Sequence, residues 1–358
     1  MISVEPHRAL RRVLLRSTMF RWIPALLVGA GIFSFAFSQP ANSYWAYIVC
    51  LAGVYLLVVL GFNVLYGMSG QISLGQAGFF GLSAYGYAVL TTAYSWYPWL
   101  AVIASVAATT TIAFLIGLVA VRLVHHLLAF LTIGFAETVR ILMLNGGPVT
   151  GGFTGIGAIP PLTIGSWVFD TYVKLLLLTW FTVGIVALLV RSLRESPWGR
   201  SFVAVRDNET AAQAFGVSIR KVRARAFTLS ALFAAVGGIL FLQLLAYISP
   251  DSITVGLSTQ FLIMLLIGGV ATGWGPLVGT GLIVGLTQLL QPFGAYQGLV
   301  LGIVLVATVM LFSNGIVGSL LALWLRIRGG SEERSGRGAT LVKSSTVGNS
   351  KEGDDNAQ

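Results

Sequence analysis

Charge is what this chain has least of. Asp, Glu, Lys and Arg together make up 9% of its 358 residues, against 56% hydrophobic residues. Soluble domains carry about 25% charged residues, so a water-facing globule is excluded and the chain reads as a polytopic membrane protein. Cysteine is nearly missing too. Cys50 is alone in an apolar run, which rules out a disulfide framework or a thiolate metal site within one chain and leaves a small buried apolar residue. His125 and His126 are adjacent. Helical neighbours face different directions, so they make a poor metal pair. The Gly-x-x-x-x-Gly-Lys-Ser/Thr phosphate loop occurs nowhere, so the chain binds no ATP in that way, and ATP with its Mg is expected on partner subunits. No nucleophile, base and orienting group cluster, so an enzyme is not expected. Between residues 226 and 325 the one acid is Asp251. A proton-driven carrier normally needs intramembrane relays, so that class loses ground.

What charge there is has a sign and a place. The formal net charge of +10 sits mostly in two segments. One is an N-terminal arm, residues 1–21, with Arg8, Arg11, Arg12, Arg16 and Arg21 against Glu5. The other is a polar island at 191–225, whose eight Lys/Arg against Glu195, Asp207 and Glu209 leave +5. Such a distribution is topological and calls for no nucleic acid. By the positive-inside rule both segments are expected in the cytoplasm.

The island also carries helix punctuation. Ser196 followed by Pro197 starts a short amphipathic helix over about 197–206. Asp207 is expected to cap a second helix of about two turns, with Glu209 in its first turn and Gly216 as its left-handed stop. Ser218 is placed to cap a third, which carries Arg220, Lys221, Arg223 and Arg225 into an apolar run. Two capped helices at the mouth of a membrane suggest a rigid surface that docks on a soluble partner; an ordinary basic loop is the plainer alternative.

Apolar runs predict spans at about 22–37, 44–66, 71–93, 96–121, 126–144, 172–190, 224–247, 257–273, 276–292 and 297–313. The expected fold is all-α: a polytopic transmembrane bundle of about ten spans with a pseudo-repeat of two halves and both termini cytoplasmic. The permease domain would cover 22–325, with an outer loop at 145–170, an interfacial helix at 315–328 and a disordered cytoplasmic tail at 326–358.

Two glycine-rich stretches interrupt the pattern. In 67–81, Ser69, Ser73, Ala77 and Gly81 recur every four residues, the spacing of a flat helix face. In 268–285 the pairs Gly269/Gly273, Gly275/Gly279 and Gly281/Gly285 repeat it, with Pro276 breaking or starting a helix. Glycine-interrupted spans in matching positions of two halves point to a translocation pathway. Gln71, Ser73, Gln76, Gly78, Gly81, Gly268, Gly269 and Gly273 are its candidates, and helix packing is the competing explanation. Glu137 and Arg140, three apart on one helix face, read as an ion pair or a gate.

Together these stretches resemble a known family. Gly70-Gln71-Ile72-Ser73-Leu74-Gly75-Gln76-Ala77 with Phe79-Phe80-Gly81, Thr150-Gly151-Gly152 with Gly155-Ile156, Ser196-Pro197-Trp198-Gly199-Arg200 through Gly216, Ser249-Pro250, and Gly268-Gly269 through Gly279 stand in the order found in LivM-type permease subunits of bacterial branched-chain amino acid ABC importers. The resemblance covers about residues 40–325. It implies an inner-membrane importer built from this permease, a sister permease, two cytoplasmic ATP-binding subunits and a periplasmic or lipid-anchored substrate-binding protein. It also implies that the helix at about 207–216 sits in a groove of the ATPase, with Arg206, Asp207, Asn208, Glu209, Ala211, Ala212, Phe215 and Gly216 as the coupling residues. Gln76 stands where the family often has His, Thr154 where Asn or Asp is usual, and His125 to Leu128 replace a Gly-x-Tyr-Phe run. Related permeases move urea, short amides and other small polar solutes, so those cargoes stay open. A self-sufficient carrier or channel is the alternative of another class.

Overall fold

The computed structural model describes residues 23–120, 125–296, 298–300, 302–303, 315 and 317. The N-terminal arm, Arg122, most of the expected span at 297–313 and of the helix at 315–328, and the tail lie outside the described residues. The rest is an all-α bundle: α1 (Ile23–Ser38), α2 (Tyr44–Phe62), α3 (Gln76–Thr92), α4 (Pro98–Ala120), α5 (His125–Asn145), α6 (Tyr172–Glu195), α7 (Pro197–Asp207), α8 (Glu209–Ala214), α9 (Ile219–Leu245), α10 (Val255–Gly268) and α11 (Gly275–Leu289).

α2 is the centre. Apolar on every side, it has no face to turn to water, and a helix of that kind is driven to the middle of a bundle or into lipid. It packs against α6, α9, α10 and α11. Together with the π-helical turn Asn63–Met68 that extends it, 78% of its apolar window is buried, against 22% for α4 and for α5. Those outer helices face the surroundings with Leu100, Ile103, Leu115, Leu127, Phe130 and Leu142, a surface suited to hydrocarbon.

Among the described residues six helices are long and apolar enough to cross a membrane, and Gly275–Leu289 is apolar but shorter. Nine of the ten expected spans have a helix among the described residues, and two of these helices are cut short at the glycine-rich stretches. Helix α3 does not begin at residue 71: residues 70–75 are non-helical and the helix starts at Gln76. Ser69, Ser73, Ala77 and Gly81 thus do not share one helix face. Likewise α10 stops at Gly268 and α11 starts at Gly275, with a non-helical link at 269–274. Both links lie at the island end of the bundle. There α10 and α11 touch backbone to backbone: a Cβ on Gly279 would fall 2.9 Å from the Gly268 Cα.

At the opposite end the loop at 145–170 is more ordered than a plain turn. Thr163–Ile164 and Trp167–Val168 form β1 and β2, an antiparallel two-residue hairpin turned by Gly165 and Ser166. Ile156 and Ile248 exchange both backbone bonds, at 2.9 and 3.0 Å, which ties this loop to the end of α9.

Candidate functional site

The island folds largely as its caps dictate. Ser196 takes an extended backbone, its hydroxyl oxygen accepts from the Gly199 N–H at 3.2 Å, and Pro197 opens α7. The second cap differs by one residue from the expectation. Asp207 is the last residue of α7, and its carboxylate is held by Arg206 at 3.0 Å. Asn208 takes the extended N-cap conformation instead and accepts from the Ala211 N–H at 2.9 Å. Gly216 stops α8 at φ +78°. Ser218 stands at the N-cap of α9 without a side-chain capping bond. Replacing Asn208 by Ala removes about 1 kcal/mol from a helix of only six residues. Amide exchange over 209–214 is expected to quicken roughly fivefold, and hydrogen exchange of the purified protein measures it.

Helix α8 stands on a fixed base. Ala212 is its buried residue, while Thr210, Ala211, Gln213 and Ala214 are exposed and Phe215 is 88% exposed. Glu209 pairs with Arg223 of α9, and the Arg225 guanidinium lies over the Trp198 ring at 4.7 Å, joining α7 to α9. The surface therefore presents one bare phenylalanine among small side chains, on a support held by an ion pair and a cation–π contact.

Beneath it lie the two helix breaks. Gln71, Ser73 and Gln76 are all buried at 3%, 0% and 1% exposure, and they bond within the chain. Gln71 Nε2 donates to Ser69 Oγ at 2.8 Å and to the Arg223 carbonyl at 3.2 Å, and Gln76 Nε2 donates to Ser230 Oγ at 2.9 Å. The freed backbone finds partners too: Leu74 N–H donates to Thr132 Oγ1 at 3.0 Å and Ala77 N–H to Ser258 Oγ at 2.9 Å. A helix break at membrane depth persists only when its peptide groups are paired in this way. Gly78 faces Ala136 and Gly81 faces Ile253. Gly268 meets Gly275, Gly269 caps α10 at φ +114°, and Gly273 is in open space. These candidates therefore lie at helix breaks and, Gly273 apart, at close packing seams within one chain.

Glu137 and Arg140 do pair, at 2.9 Å. Arg140 also reaches Asp251 at 3.2 Å, across 111 residues of sequence. Sequence spacing gave no sign of that third member.

The profile of the family described as branched-chain amino acid transport system, permease component, matches residues 44–309. The chain belongs to this family. That makes it a multi-pass inner-membrane permease subunit of an ABC importer. It is 30% identical to the high-affinity branched-chain amino acid transport system permease protein LivM of Escherichia coli strain K12, over 83% of this chain and 74% of the relative. The LivM of Salmonella typhimurium is matched with the same identity and coverage. A shorter match, 33% identical over 30% of each chain, is to the autoinducer 2 import system permease protein LsrC of Escherichia coli O9:H4. No solved structure matches.

Proposed function

We propose that this permease imports branched-chain amino acids, forming the translocation pathway with a sister permease while two ATP-binding subunits dock at the island. In this reading residues 22–325 are the permease domain of about ten spans in two similar halves, and the island end and both termini are cytoplasmic. ATP and Mg belong to the partner subunits. A periplasmic or lipid-anchored binding protein delivers the solute at the end that carries β1, β2 and Asp251. The pathway candidates around Gln71, Gln76, Gly268 and Gly273 act as hinges more than as ligands, since the Gln71 and Gln76 amide nitrogens are already bonded inside the chain, while the buried Gln76 Oε1 is left without a hydrogen-bond partner. The observation that carries the reading is the reach of the family profile across nearly the whole described bundle. A second cargo, another small polar solute, is favoured by the stretch similar to the autoinducer 2 permease.

Reconstitution tests both. Proteoliposomes holding the full complex and supplied with binding protein and internal ATP are expected to accumulate labelled leucine, isoleucine or valine. ATP-driven uptake of a different solute alone selects the second cargo. Uptake by this chain alone without ATP makes it a self-sufficient carrier or channel.

A further inference from the structure

We propose that Asn63 is the residue that makes the two helix breaks move as one, so that a push on the island at Arg206 reaches both. Asn63 is 3% exposed, in the π-helical turn at the end of the most enclosed helix. Its side chain treats the second break as a strand would. Asn63 Oδ1 accepts from the Ala271 N–H at 2.9 Å and Nδ2 donates to the Thr272 carbonyl at 3.2 Å. One carboxamide thus satisfies a donor and an acceptor of a link that has left its helix, groups that would otherwise be costly to bury.

The first break is reached one turn further on. Arg206 Nη1 donates to the Gly67 carbonyl, and the Arg206 stem lies on Gly70, where a Cβ would sit 2.9 Å from Arg206 Cγ. Gly67 in turn is the shelf on which the Asn63 amide rests. A continuous path therefore runs from α7 through Arg206, Gly67 and Asn63 to residues 271–272, with Arg223 holding Gln71 through its carbonyl and Arg194 donating to the Ala271 carbonyl. Packed groups with fixed partners transmit displacement where flexible ones absorb it. Asn63 touches neither the exposed surface of α8 nor the outer end, so it acts through the links as a positioning residue.

This inference rests on the reading of the chain as an ATP-driven importer, and the test separates the two. In the assembled complex, ATP is expected to change amide exchange at 70–75 and at 269–274 together, with one time course. In Asn63→Leu, which keeps the volume and loses both bonds, solute moved per ATP hydrolysed is expected to fall at least fivefold. A role confined to folding would reduce the amount of complex recovered without changing that ratio. The inference is overturned if the wild-type links respond independently or not at all while uptake proceeds, or if the ratio in Asn63→Leu equals that of the wild type. A wild-type complex that shows no ATP-driven uptake overturns the importer reading instead.

Discussion

Phe215→Ala is expected to release the ATP-binding subunits from this permease while leaving the bundle folded. The ring is 88% exposed, contributes nothing to the chain's own core, and stands at the end of α8 immediately before the left-handed Gly216. A large aromatic held out on a rigid support is the profile of an interface anchor, and truncating such anchors costs about 2 kcal/mol or more, roughly a thirtyfold loss of affinity. The neighbours Ala211 and Ala214 are small, which lets a partner surface close around the ring and exclude water. Co-purification at limiting subunit concentration measures the effect, with melting temperature of the isolated permease as the control. Unchanged co-purification would overturn the assignment of Phe215 as a docking anchor.

Gly238→Val is expected to prevent the bundle from forming. α3 and α9 cross so closely that a Cβ at Gly238 would lie 2.0 Å from the Phe80 carbonyl and 2.7 Å from Ser83 Oγ. That hydroxyl is itself engaged, donating to the Phe80 carbonyl at 2.9 Å and the Ala235 carbonyl at 2.7 Å. Neither helix can yield cheaply, because α9 also lies against α2 and α4. Where lipid is as apolar as the helix surface, close packing and interhelical hydrogen bonds hold helices together, and an added side chain at a backbone contact removes both. A loss of at least about 3 kcal/mol is expected, at the upper end for overpacking. Gly184→Ala, where a Cβ would meet nothing within 4 Å, serves as the control and should change stability by under about 0.5 kcal/mol. Size-exclusion profiles after graded heating distinguish the two variants.

The features legible in the sequence are those whose causes are local. Low charge and long apolar runs give the membrane and the helices. Ser196-Pro197 and Gly216 give the start and stop of the island, since a cap is a contract between residues three or four apart. Even there, Asp207 and Asn208 are chemically interchangeable as caps, and in the structure Asn208 caps while the Asp207 carboxylate is held by Arg206. The helix breaks were harder to see. Small residues every four positions are consistent with a continuous helix face, and the partners that support the break are partly distant, Thr132 for the Leu74 N–H and Ser258 for the Ala77 N–H at the start of α3. The third member of the Glu137–Arg140 cluster comes from another loop entirely. The hairpin at 163–168 had a readable signal in Gly165-Ser166 between β-branched and aromatic residues.

Cys50 sits at 0% exposure with its Sγ 3.4 Å from Thr179 Oγ1. As the sole thiol of the chain and sealed in the interior, it stays out of reach of water-soluble maleimides. A second cysteine placed on α8 would then be the one site that takes a spin or fluorescent probe, so any movement of that helix can be followed without first stripping the protein of its native sulfhydryl.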